Sequence, residues 1–92
     1  MSMPVIIKKP SDLSAGEIYE DCSYHPCLCV SVDTDEIQGI SLVDGSFPRS
    51  CSIEHCEPRK LTIEEAWRWK MSGPEDIQLE PQSRWWDAVK ST

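Results

Sequence analysis

The sequence is poor in positive charge and has no long apolar run. Nine Lys and Arg stand against 16 Asp and Glu, a net charge of −7, and no basic residue occurs between Lys9 and Arg49. Nucleic-acid binders need basic patches for phosphate contacts, so no nucleic-acid partner is expected. No stretch approaches the roughly 18 consecutive apolar residues of a transmembrane helix, so no membrane partner is expected either.

The first ten residues lack the pattern of a secretory signal. Their apolar stretch, residues 5–7, is short and is followed rather than preceded by Lys8 and Lys9. We therefore expect a cytoplasmic protein whose thiols stay reduced. The chain has five cysteines, an odd number that would leave one unpaired. A disulfide framework is accordingly not expected.

Ninety-two residues suffice for one small domain with its own core. We divide the chain into an extended N-terminal arm over 1–12, a small barrel plus helix over 13–73, and a linker with a Trp-containing tail over 74–92. The arm carries a candidate edge strand at 5–7 between Pro4 and Pro10, since proline is tolerated at sheet edges.

Alternating apolar and polar residues predict strands around Ile18 and over 27–32, 37–43 and 49–53. Asp44-Gly45 predicts a tight turn, and Gly39 predicts a bulge or a close backbone approach. The predicted fold class is mainly β with a C-terminal α-helix (α+β), as a small barrel or a strongly bent antiparallel sheet. The alternation places six aliphatic residues in the core: Leu28, Val30, Val32, Ile40, Leu42 and Ile53.

The helix is predicted from a capping box at Thr62 and Glu65, and it should end at Gly73-Pro74. On a helical wheel the apolar side holds Trp67, which is therefore the predicted core tryptophan, while Trp69 falls outside it and is predicted to be partly exposed.

The β-rich part resembles an SH3-like barrel. The segment 16–19, Gly-Glu-Ile-Tyr, resembles the first strand of such barrels, and the two tight hairpins resemble their meander. The resemblance covers about Leu13 to Lys60 and concerns the fold alone. It implies no catalytic or ligand residue, because SH3-like barrels serve many unrelated functions.

The stretch 22–56 holds every cysteine and both histidines, which are zinc ligands when they converge. The candidate set for zinc is Cys22, Cys27, Cys51 and Cys56. Their spacing, four residues between each pair, matches no common zinc knuckle, and the favoured interpretation is that the cysteines are small buried hydrophobes or surface thiols. No cofactor is therefore expected. His25 and His55 lie near cysteines in sequence, but no orienting Asn or Asp can be assigned, so no enzymatic activity is predicted.

Tryptophans supply the main indication of a binding surface, because all four lie in the last third of the chain and interfaces favour Trp and Arg. The acidic loop at residues 33–36, Asp-Thr-Asp-Glu, supplies the second indication, since its negative field would attract a basic protein surface. An EF-hand is excluded by Ile37 and Gln38 at required ligand and glycine positions. We predict a monomeric, non-catalytic protein-interaction module, a small regulatory or inhibitory subunit, with a metal-binding protein as the alternative. The predicted contact residues are Trp69, Trp85, Trp86, Arg84, Asp33, Asp35 and Glu36.

Overall fold

The computed structural model describes residues 4–87 and consists of a six-stranded sheet and two helices. Two short 3-10 turns are also present: Pro10–Asp12 lies between the first and second strands, and Pro81–Ser83 follows the last helix. None of the helices in the described part is long and apolar enough to cross a bilayer. The elements are β1 (Val5–Ile6), β2 (Ile18–Glu20), β3 (Pro26–Val32), β4 (Glu36–Ser41), β5 (Cys51–Ser52), α1 (Ile53–Cys56), β6 (Arg59–Leu61) and α2 (Ile63–Ser72).

The strands form one antiparallel sheet in the order β1-β6-β2-β3-β4-β5. The predicted α+β class is confirmed, as is the short edge strand near the N-terminus. Over residues 4–87 the sheet is open, with β1 at one edge and β5 at the other. The predicted strand over 49–53 is wrong at its end, because Ile53 begins α1 with Ser52 as its N-cap.

The larger core lies on the face of the sheet that carries the thiols. In β3 Cys27 and Cys29 are buried, together with Pro26 at the start of the strand, whereas Val30 is exposed. The predicted core face of this strand is therefore wrong. Alternation fixes which residues share a face but not which face is inward, and a register shift between Cys29 and Ser31 interrupts the alternation within the strand. This core comprises Ile7, Leu13, Tyr19, Cys27, Cys29, Ile37, Cys51 and Ile53.

Gly39 allows the main core to close. The Tyr19 hydroxyl donates a hydrogen bond of 2.6 Å to the carbonyl oxygen of Arg49, and the ring passes directly over Gly39. A Cβ at position 39 would lie 2.6 Å from that hydroxyl oxygen and 2.5 Å from the carbonyl oxygen of Leu28. The predicted close backbone approach at this glycine is confirmed.

Helix α2 begins as the sequence predicts. The Thr62 hydroxyl accepts from the Glu65 amide at 3.0 Å, and the Glu65 carboxylate accepts from the Thr62 amide at 2.8 Å. The predicted side of the helix is wrong. Trp69 is 1% exposed and packs with Ala66 and Leu61 on the sheet, while Trp67 is 61% exposed.

A buried polar network explains this orientation of α2. The indole N–H of Trp69 donates to the Glu20 carboxylate at 2.6 Å. Arg59 donates to both oxygens of the same carboxylate, at 2.7 and 2.8 Å, and also pairs with Asp76. A buried carboxylate is costly unless its lone pairs are satisfied, and in this orientation the Trp69 indole N–H satisfies Glu20 while the ring is buried. Ile63, which offers none, is left on the solvent side.

Candidate functional site

Three sulfur atoms converge at one end of the sheet. Cys22 and Cys56 form a disulfide with a Cα–Cα distance of 5.4 Å. The sulfur of Cys51 lies 3.5 Å from that of Cys22, and all three sulfurs lie within 4.8 Å of one another. Cys22 is exposed, Cys56 is half-buried and Cys51 is buried. We name these three residues the sulfur cluster.

The disulfide overturns the expectation of reduced thiols. The prediction came from the missing export signal and the odd cysteine count. Neither observation gives the distance in space between Cys22 and Cys56, which are 34 residues apart in the chain. The fold brings their Cα atoms within the range that a disulfide requires. The other three cysteines, Cys27, Cys29 and Cys51, remain as buried free thiols in the core.

The loop that carries Cys22 is held by Asp21. This buried carboxylate accepts from the backbone N–H groups of Ser23 and His25, both at 2.9 Å. Its other oxygen accepts from Arg49 at 2.8 Å. One side chain therefore shapes a tight loop and ties it to the strand region that precedes Cys51.

Cys51 is held by a different element. It lies in edge strand β5, where it pairs with Ile37 of β4. The following helical turn, α1, carries Cys56. Asp35 anchors this turn, because its carboxylate accepts hydrogen bonds from the Ser52 hydroxyl at 2.8 Å and from the Glu54 amide at 3.0 Å. Burial, followed by the charge of Asp21, raises the pKa of Cys51 to about 12.

The cluster differs from the predicted zinc ligands in one residue. Cys22, Cys51 and Cys56 come together, but Cys27 lies outside the group; its thiol donates to the carbonyl of His25 at 3.4 Å. His25 and His55 are outside the group as well. The imidazole of His25 instead contacts the Ser41 hydroxyl and the ring of Trp85.

A second feature is an apolar groove between β1, β2 and α2. Its volume is about 490 Å³, and Val5, Ile18, Leu61 and Ile63 supply its apolar walls. Val5 is 72% exposed and Ile63 is 81% exposed. Trp67 follows Ile63 by one helical turn, so it extends the same exposed apolar surface along α2.

Comparisons with known protein families, curated proteins and solved structures find no match.

The predicted contact residues in the tail lie at the surface but are engaged within the chain. The indole N–H of Trp85 donates to the Lys70 carbonyl at 3.1 Å, and Trp86 packs on Gly73. Arg84 donates to the Leu79 carbonyl at 2.8 Å. All three side chains are half-buried, so the tail folds back over α2 in the described residues.

Trp69, in contrast, requires a correction. It is buried and bonded to Glu20, so it has no surface to offer a partner. The exposed tryptophan of α2 is Trp67, which the helical wheel assigned to the core. The sequence contains a signal for this, since Ala66, Trp69 and Gly73 form a stripe at helical spacing and all three are buried.

The predicted acidic contact residues lie on one exposed hairpin loop. Asp33 and Glu36 each accept a local hydrogen bond, from the Thr34 amide and the Gln38 side chain. Asp35 has the structural role of anchoring α1, and its hydrogen bonds with Ser52 and Glu54 lower its pKa. The loop is thus accessible and negatively charged, with one of its carboxylates already committed to the fold.

Proposed function

We propose that this protein is a non-catalytic interaction module that binds an apolar segment of a basic partner protein through α2 and the adjoining groove. The observation that supports this most directly is the exposure of Ile63 and Trp67 on one side of α2. Contiguous exposed apolar side chains, one of them a tryptophan, are a common mark of protein-binding surfaces.

The groove suits an inserted apolar side chain or short segment. Its walls come from regular elements, since Ile18 belongs to β2, Leu61 to β6 and Ile63 to α2. Ile18 and Leu61 are fixed by the smaller core around Trp69, so the floor is already formed before a partner arrives. A pre-formed floor reduces the entropy lost on binding.

The open edge of the sheet extends this surface. Strand β1 pairs with β6 on one side, and no strand within residues 4–87 pairs with its other side. Val5 belongs to both this edge and the groove wall. An extended partner segment laid along β1 would combine backbone hydrogen bonds with an apolar contact in the groove.

Charge favours a basic partner. The chain carries a net charge of −7, and Lys60, which lines the groove, is paired with Glu17 at 2.8 Å. On α2, Arg68 is paired with Glu64 at 3.1 Å. A negative field of this kind accelerates encounter with a basic surface and weakens with added salt. A small regulatory or inhibitory subunit fits this set of properties.

Three further predictions stay predictions. The SH3-like resemblance concerns the fold alone, and the groove is defined by its residues rather than by a barrel. The cytoplasmic location also stays a prediction, and the Cys22–Cys56 disulfide is of a kind that oxidising compartments favour. The monomeric state is the third, and sedimentation tests it.

The test compares matched aromatic substitutions. A photo-crosslinking amino acid at position 67 should capture a partner that the same amino acid at position 47 does not, because Phe47 is 56% exposed but does not line the groove. With the captured partner purified, Trp67→Ala should weaken binding at least about 30-fold, the effect of a hot-spot residue worth roughly 2 kcal/mol. Phe47→Ala should leave the affinity within about twofold.

Three results would count against the proposal. Equal affinity of the Trp67→Ala and Phe47→Ala variants would remove α2 as the binding surface. Sedimentation showing a homodimer that Trp67→Ala dissociates would make a second copy of the chain the occupant instead of a basic partner. Binding that strengthens with salt would contradict the electrostatic part.

A further inference from the structure

The sulfur cluster has a composition that the disulfide alone does not explain. A structural disulfide needs two sulfurs, and here a third one, in a buried thiol, lies 3.5 Å from Cys22. Cys22 carries no proton in the disulfide, so the Cys51 thiol can only act as a weak donor to it. The arrangement therefore holds three soft ligand atoms in one place.

The three sulfurs are positioned by separate parts of the fold. Cys22 lies on the loop shaped by Asp21, Cys51 lies in the β-ladder, and Cys56 ends the helical turn anchored by Asp35. These restraints do not depend on the S–S bond itself. The sulfurs should therefore stay close after the disulfide is opened.

We propose that reduction of the Cys22–Cys56 disulfide converts the sulfur cluster into a three-thiolate site for one zinc ion, and that reoxidation expels the ion. With Zn–S bonds of about 2.3 Å in tetrahedral geometry, neighbouring sulfurs would be separated by about 3.8 Å. The observed mutual separations, all within 4.8 Å, are compatible with that spacing after small movements. The fourth position faces the surface beside the exposed Cys22 and would take water or another small ligand.

The chemistry balances as three steps. Two equivalents of a small thiol such as glutathione reduce the Cys22–Cys56 bond, giving two protein thiols and one small-molecule disulfide. Zinc then displaces three protons, one each from Cys22, Cys51 and Cys56, and three Zn–S bonds form. One equivalent of the small-molecule disulfide reoxidises the Cys22 and Cys56 thiolates to the protein disulfide and is itself reduced to two small thiolates, which removes two zinc ligands; Cys51 then regains a proton and the ion leaves.

Internal thiol–disulfide exchange is the competing use of the same contact. It would require the Cys51 thiolate to attack the sulfur of Cys22 and release Cys56. Cys51 is 2% exposed, and a thiol buried among apolar side chains is a poor attacking group, so this attack is slow. A metal ion overcomes the same barrier by bonding directly to the sulfur.

The protein contains matched controls for this site. Cys27 and Cys29 are buried free thiols like Cys51, but neither belongs to the cluster. The experiment compares the full-length wild type with Cys51→Ala, Cys27→Ala and Cys29→Ala, each reduced with a non-chelating phosphine and titrated with Zn²⁺ against a chromophoric chelator. Co²⁺ serves as a second probe, because its thiolate charge-transfer absorption reports the number of sulfur ligands.

The reduced wild type should bind one equivalent of Zn²⁺, with a Co²⁺ spectrum of three thiolates and release of three protons at neutral pH. Cys51→Ala should lower the affinity at least about 10-fold and reduce the thiolate count to two. The other two variants should match the wild type. The oxidised protein should bind no zinc at this site until a thiol is added.

Three results would overturn the proposal. They are no stoichiometric zinc in the reduced wild type, equal affinity in the Cys51→Ala variant, and equal loss in the Cys27→Ala variant. Near-UV circular dichroism keeps the test decisive if the reduced apoprotein unfolds. In that case a Zn²⁺ concentration that restores the folded signal of the wild type, Cys27→Ala and Cys29→Ala should not restore that of Cys51→Ala. Equal restoration of the signal in all four proteins would refute the site.

Discussion

Replacing Trp69 by phenylalanine should destabilise the protein far more than the same replacement at Trp67. The two residues are two positions apart on α2 and carry the same side chain. Trp69 is 1% exposed and donates its indole N–H to the buried Glu20 carboxylate at 2.6 Å. Trp67 is 61% exposed. Comparing the two Trp→Phe substitutions therefore measures the contribution of burial and hydrogen bonding to stability, because the chemical change is the same at both positions.

The magnitude follows from what phenylalanine removes at position 69. A hydrogen bond to a charged group contributes about 1.5–3 kcal/mol. The smaller ring leaves a space next to Ala66 and Leu61, which adds on the order of 1 kcal/mol. Glu20 keeps both of its bonds to Arg59, so it is not left wholly unpaired. The total loss is about 2–4 kcal/mol, which for a domain of this size lowers Tm by roughly 10–25 °C.

Urea unfolding of the oxidised protein, followed by far-UV circular dichroism, gives the free energy of unfolding for each variant. Trp67→Phe should stay within about 0.5 kcal/mol of the wild type, as surface substitutions usually do. A larger loss for Trp67→Phe than for Trp69→Phe would mean that α2 packs on the sheet by its other face. That result would refute both the core described above and the exposed position of the proposed binding residue.

Two other perturbations have defined outcomes. Gly39→Ala should lower the free energy of unfolding by about 1–3 kcal/mol, because its Cβ would overlap the Tyr19 hydroxyl, and a neutral effect in urea unfolding would contradict the close approach. Acidification from pH 7.5 to 5 should lower the free energy of unfolding through His25. Burial lowers the pKa of His25 below the ordinary 6.5, despite the opposing charge of Asp21. The unfolded state therefore takes up the proton first, and stability falls as the pH drops through 6.5. His25→Gln should flatten this part of the pH dependence and disturb the edge contact with Trp85. Trp85 fluorescence reports the change in that contact. An unchanged slope of stability against pH would assign the effect to other groups.

Local chemistry accounts for what could be predicted from the sequence. The capping box at Thr62 uses atoms three residues apart, so it is visible in the sequence. The requirement for glycine at position 39 is visible for a similar reason, since an isolated glycine in a strand marks close backbone approach. The α+β class follows from strand periodicity followed by a capped helix.

The errors come from interactions between residues far apart in the chain. The buried face of α2 is held by the bond between Trp69 and Glu20, which are 49 residues apart, and a helical wheel contains no information about a partner outside the helix. The cysteine pairing is decided in the same way, because Cys22 and Cys56 are brought together only when the loop at Asp21 and the turn of α1 are both in place.

Edge strand β1 borders both proposed sites, and its geometry makes them independent. Val5 of β1 lines the apolar groove, while Ile6, its neighbour, lines a cleft of about 270 Å³ together with Cys22 and Cys56. Successive side chains of a strand point to opposite faces, so the sheet itself separates the groove from the sulfur cluster. Effects of substitutions at separated sites without shared partners add. Trp67→Ala should therefore leave the zinc affinity of the reduced protein unchanged, and Cys51→Ala should leave partner binding by the oxidised protein unchanged. If either substitution alters binding at the other site, β1 moves as a unit when one of the sites is occupied.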